Sequence, residues 1–78
     1  MAHHLVLVTD EFSADETIAA WLRVLPEDDV IAYTRIDKQE WKGDIVTTFY
    51  SARPEYIDGL EEIIDETIPD TPHLIKVI

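Results

Sequence analysis

Few residues in this chain have the types and spacing that chemistry requires, and the clearest lie at its beginning. In Met1-Ala2-His3-His4 a histidine occupies position three whether or not the first methionine is removed, His3 in one case and His4 in the other. A free terminal amine, two backbone amides and that imidazole make a square-planar nitrogen set for Cu(II) or Ni(II). Two histidines near a start are also a common remnant of cloning, and His4 opens a run that reads as a strand. His73 follows Pro72 at a strand edge, where an ordinary surface histidine is expected. Glu27, Asp28 and Asp29 could hold Ca²⁺ or Mg²⁺ loosely, without the spacing of an EF-hand loop. No residue is therefore assigned as a metal ligand. No cofactor is identified, Cu or another divalent metal being the candidate.

Catalytic constellations are missing. Ser13 and Ser51 are better read as helix caps than as nucleophiles. There is no Gly-rich phosphate loop and no His-Glu-x-x-His. A phosphate site near the first strand would fall on Thr9-Asp10-Glu11-Phe12-Ser13-Ala14-Asp15, whose carboxylates repel the substrate. No catalytic or cofactor-binding residue is assigned, and the chain is expected not to be an enzyme. Tyr33, Trp41 and Tyr50 would suit the lining of a ligand cleft, although aromatic residues near hairpins commonly serve packing.

Composition points the same way. Seventy-eight residues make one domain, 1–78, and 46% of them are apolar, enough for a core. So short a chain has a thin stability margin, and with no cysteine it has no disulfide or thiolate metal site to staple it. Oligomerisation is the expected support. Seventeen Asp and Glu against six Lys and Arg leave a net charge of −11. That charge repels nucleic acid and anionic membrane, so neither is expected as a partner. It serves solubility, or it mimics nucleic acid and fills the basic groove of a partner protein, as an inhibitor would. No apolar run approaches the ~20 residues of a membrane span, and a cytoplasmic location is expected.

The elements follow from periodicity. His4 to Thr9 reads as a strand. Ser13 and Glu16 form a capping box, behind which Ile18, Trp21, Leu22 and Leu25 make the apolar stripe of a helix that Pro26 ends. Asp29 to Ile36 is β-rich, Lys38 to Asp44 reads as a turn around Gly43, and Asp44 to Tyr50 returns as a strand. Pro54 opens a second helix with Ile57, Leu60, Ile63, Ile64 and Ile68 on one side, and His73 to Ile78 closes as a strand. On its other side this helix shows Glu55, Asp58, Glu61, Glu62, Asp65 and Glu66, a solvated face or a dock for a basic protein.

The order βαββαβ predicts an α+β, ferredoxin-like sandwich. Its four-stranded antiparallel sheet runs 4-1-3-2 with both helices on one face. Yet the strands are apolar on both faces: Leu5 and Leu7 oppose Val6 and Val8, Ile45 opposes Val46, and Leu74 opposes Ile75 and Val77. The helix-free face is thus expected to be covered, most simply by further copies of the chain.

In this order the residues resemble CutA, the divalent-cation tolerance family. The matching positions are Thr9 after the first strand, Trp41 with Gly43 at the hairpin, Ser51 to Arg53 before the second helix, and Pro69 and Pro72 before the last strand. The hairpin is shorter than in CutA, no helix follows the last strand, and the cysteine many members carry after the second strand is absent. The resemblance implies a PII-like homotrimer with sheets around a three-fold axis. It also implies a divalent metal or small ligand bound in a tolerance or regulatory role. The PII phosphate-binding loop has no counterpart here. The alternative is an acidic interaction protein that binds a basic partner.

Overall fold

Alternation along the first strand sets the layering. Leu5, Leu7 and Thr9 are buried, while His4, Val6 and Val8 are only half-buried, the two-residue period of a strand with one face against a core. The computed structural model describes residues 3–78. Its elements are β1 (His3–Thr9), α1 (Glu11–Val24), α2 (Glu27–Tyr33), β2 (Thr34–Trp41), β3 (Asp44–Ser51), α3 (Pro54–Asp58), α4 (Leu60–Thr67) and β4 (Leu74–Val77). The strands form one antiparallel sheet in the order β2-β3-β1-β4, which is the expected 4-1-3-2 read from the other edge. The helices pack on one face, and the fold is ferredoxin-like.

Between the layers lie Leu5, Leu7, Trp21, Phe49, Ile57, Leu60, Ile64 and Ile68. The expected stripe of Ile57, Leu60, Ile64 and Ile68 is buried throughout, with Ile63 at its margin. Trp21 meets Phe49 edge to face at 5.4 Å between ring centroids, and its Nε1–H donates to the Tyr56 carbonyl at 3.0 Å. In α1 the buried side is Ser13, Ala14, Thr17 and Trp21. Ile18 and Leu25 flank it, whereas Leu22, expected in the stripe, is turned outward and 37% exposed.

Four local expectations are corrected. The cap of α1 is Asp10, not Ser13. Its Oδ1 accepts from the Ser13 backbone N–H at 2.6 Å and its Oδ2 from the Ser13 hydroxyl at 3.1 Å. A carboxylate at the N-cap also faces the positive end of the helix.

The second correction is larger. Residues 29–33, expected in a strand, belong to the helix α2. The Pro26 carbonyl accepts from the N–H groups of Asp29 and Val30, both at 3.0 Å, and Glu27, Asp28 and Asp29 occupy the first turn, where negative charge is favoured. Val30, Ile31 and Tyr33 have strand-prone side chains, but these start signals and the Thr34 hydroxyl, which donates to the Val30 carbonyl at 2.6 Å, hold the helix. Ile31 is left 80% exposed.

Third, β2 runs on to Trp41, so the hairpin turn is only Lys42-Gly43. Both residues have positive φ, 53° and 86°, the mirror-image two-residue turn that matches strand twist. Fourth, the single second helix is two, broken at Gly59. The N–H of Gly59 still donates to the Glu55 carbonyl at 3.2 Å, and the Gly59 carbonyl accepts from Ile63 at 3.3 Å. The acidic and apolar sides therefore stay in phase across the break.

Candidate functional site

The helix-free face of the sheet can be mapped row by row, because cross-strand partners in a ladder point to the same side. One row is Arg35, Tyr50 and His4, continued by Ile78, whose N–H donates to the His4 carbonyl at 2.8 Å. The next is Asp37, Thr48, Val6 and Lys76, and the third is Gln39, Val46, Val8 and Leu74. Trp41 and Asp44 close the hairpin end.

Two properties of this face follow. Its middle is apolar: Val6, Val8 and Val46 lie on the central strands, and Leu74 beside them is 72% exposed. A shallow hollow of about 450 Å³ runs over Val6, Val8 and Leu74 to Lys76. Its charges also cancel, since Arg35 and Lys76 are matched by Asp37 and Asp44. The net charge of −11 therefore sits elsewhere. It lies chiefly on the helix layer, where Glu55, Asp58, Glu61, Glu62, Asp65 and Glu66 are all exposed, as the acidic-face reading expected. A sheet surface that is neutral and apolar on an otherwise strongly acidic molecule is suited to contact another protein surface.

The expected cleft aromatics are not brought together. Tyr50 lies in the first row, flanked by the His4 ring at 4.9 Å and the Arg35 guanidinium at 5.1 Å. Trp41 is at the opposite end, 64% exposed, with the Lys42 ammonium over its ring at 5.5 Å. Tyr33 ends α2 and lies beneath the Arg53 guanidinium at 4.4 Å.

The candidate metal ligands are likewise dispersed, and no group of three His, Asp or Glu suited to a metal ion occurs among the described residues. If the first methionine is removed, the nitrogen set ending at His4 needs the His4 amide, but that N–H donates to the Ile78 carbonyl at 3.2 Å. With Met1 retained, the set begins on Met1 and Ala2, which lie outside the described residues. His73 holds its Nδ1 2.6 Å from the Thr71 carbonyl and borders a hollow of about 300 Å³ with Thr9, Asp44 and Pro72. Of the three carboxylates at 27–29, Asp29 accepts the Tyr56 hydroxyl and lies 3.9 Å from Arg53 Nε. Ser51 is buried and its Oγ accepts from the Arg53 N–H at 3.1 Å, a turn that precedes α3 and not the expected helix cap, because the N-cap of α3 is Arg53 and no side chain caps it.

Asp29, Tyr33, Arg53 and Tyr56 form a cluster that sequence reading missed, because it depends on α2 being helical. It ties α2 to the start of α3. The bond to Asp29, helped by desolvation and the carboxylate's charge, raises the Tyr56 hydroxyl above its ordinary value of 10.0. A group raised in the fold stabilises it fully below its unfolded pKa and loses that contribution as pH climbs through the folded value. The thermal midpoint is therefore expected to fall above about pH 10, and less steeply in Tyr56→Phe. Lys38, raised by its 2.6 Å bond to Asp15, adds a loss in the same range that the variant retains.

No protein-family model matches the chain, and no curated protein sequence does. Among solved structures it is similar to the de novo designed protein Ferredog-Diesel. That match has 10% identity over 100% of this chain and 84% of that one, with a TM-score of 0.66. The designed protein Foldit4 follows at 11% identity, 99% and 93% coverage and a TM-score of 0.57. A dimeric ferredoxin-like protein from an uncultured marine organism gives 14%, 99%, 89% and 0.47. No helix of the described residues is long and apolar enough to cross a membrane. These likenesses bear on architecture alone: the chain has the ferredoxin-like fold.

Proposed function

We propose that the chain is a non-enzymatic binding domain that works as an assembly of its own copies, joined through the helix-free face of the sheet. The observation that carries this reading is the apolar middle of that face, Val6, Val8, Val46 and Leu74, over which no element of the described chain folds. A two-layer domain this small gains most from covering such a face. The CutA resemblance supplies a finer form: copies arranged around a three-fold axis, with a divalent metal or small ligand held in the clefts between subunits. Element order and strand order support it. Light scattering over a wide range of protein concentration tests the reading. The expected result is a mass above one chain that falls on dilution; a single-chain mass throughout overturns it.

A second reading rests on the charge layout. Six exposed carboxylates on α3 and α4, Glu55 to Glu66, offer a surface to a basic protein. Neutralising Glu61, Glu62 and Asp65 together is expected to weaken capture of a cationic test protein such as a histone tail, and added salt to abolish it. Capture unchanged by both would sink that use.

A further inference from the structure

We infer that the partner on the helix-free face is a second copy related by a two-fold axis running along the strands, between β3 and β1. In that pair Asp37 of each copy meets Lys76 of the other. This rests on the self-association proposed above and gives it a geometry, with two copies in place of the three that the CutA resemblance implies.

The argument comes from register. Asp37, Thr48, Val6 and Lys76 form one row across the whole width of the sheet, with the acid on β2 and the base on β4. A two-fold interface uses the same patch twice, so the patch must complement itself. The stated axis lays β2 over the partner's β4 and β3 over the partner's β1. Asp37 then lies opposite the partner's Lys76, and Lys76 opposite the partner's Asp37. Val46 meets the partner's Val8 next to the axis, and Thr48 meets the partner's Val6. The apolar residues fall in the middle and the charges at the rim, the usual division of an interface.

Facing sheets pack about 10 Å apart and rotated by about 30°. With strands about 4.8 Å apart, an outer strand lies about 7 Å from the axis, so that rotation displaces the charged pair by about 4 Å. A lysine side chain spans that offset. An axis across the strands fails by comparison, because it lays β2 over the partner's β2 and β4 over the partner's β4, so that Asp37 and Lys76 cannot meet. Neither Asp37 nor Lys76 has an ion-pair partner within the chain among the described residues. The balanced charge of the face also lets two molecules of charge −11 meet without like charges in direct contact, so repulsion is lower there than on the acidic helix layer.

The face is about 19 Å across four strands and about 23 Å along seven residues, roughly 400 Å² of projected area per copy. That falls below the about 800 Å² per partner of a standard specific interface, so the dimer is weak and reversible and its mass must be followed through dilution.

Sedimentation equilibrium on the full chain decides the matter, comparing wild type with Asp37→Lys, Lys76→Asp and the exchanged double variant. The expected wild-type species is two chains. Each single variant, which places like charges opposite each other twice, is expected to weaken association at least tenfold. The double variant is expected to return it to within threefold of wild type. If a reversal unfolds the chain, Asp37→Asn and Lys76→Gln make the same comparison, each weakening association. A three-chain species, single variants that associate like wild type, or an unrescued double variant would each overturn the two-fold arrangement while leaving self-association standing. A single chain at every concentration would overturn both.

Discussion

Trp21→Ala is expected to leave little folded protein at 37 °C. Trp21 is fully buried at the meeting point of α1, β3 and α3. Truncating a buried tryptophan costs about 3–5 kcal/mol through lost transfer energy and the cavity left behind. A small domain has a margin of only about 5–15 kcal/mol in total, and one of this length lies near the low end. The Tyr56 carbonyl also loses its indole donor. The edge-to-face contact with Phe49 is worth about 0.5–1.5 kcal/mol beyond burial, so a cycle with Phe49→Leu should show coupling of that size. Urea unfolding measures both. A loss below about 1.5 kcal/mol, outside the range for such truncations, would mean that Trp21 is not the centre of this core.

Val8→Asp is expected to do the reverse: to spare the fold and abolish the assembly. Val8 is on the helix-free side of a central strand, so no core contact depends on it. The intrinsic strand penalty of aspartate is within about 1 kcal/mol. In an assembly closed through this face, however, the substitution buries an unpaired carboxylate once per copy, which costs several kcal/mol. That corresponds to a loss of association of a hundredfold or more. The check is a thermal midpoint close to that of wild type diluted to single chains, together with a single-chain mass where undiluted wild type is assembled. If mass and midpoint are both unchanged, Val8 is not at the interface.

The two variants separate what was legible in the sequence from what was not. The side of the sheet that Trp21 covers was readable because Leu5, Leu7, Ile57, Leu60, Ile64 and Ile68 alternate or recur with a single period. The apolar character of the other side was readable too, since Val6, Val8, Val46 and Leu74 fall on the opposite phase. Its charge pattern was not, because placing Asp37 and Lys76 in one row requires the register of three strand pairs. Asp29 to Tyr33 was misread for a different reason. Val30, Ile31 and Tyr33 suit a strand by side-chain shape, yet Pro26 and three carboxylates announce a helix start. Local shape and end signals conflicted, and the end signals prevailed with help from Tyr56 and Arg53, distant in sequence. The cap moved from Ser13 to Asp10 because both residues are good caps. The break at Gly59 was hidden because the apolar stripe runs through it unchanged.

The outer edge of β2 has a consequence for how the chain behaves when crowded. An edge strand is a row of free backbone donors and acceptors on which an identical strand can build, layer upon layer, into a cross-β fibre. Here that edge is eight residues long, and its middle is Arg35, Ile36, Asp37, Lys38, Gln39 and Glu40. An in-register copy added there would stack arginine on arginine, aspartate on aspartate and lysine on lysine, a repulsion repeated at every layer. The other edge, β4, has only four residues. The molecule thus leaves a broad apolar surface open while both of its strand edges resist amyloid-type growth.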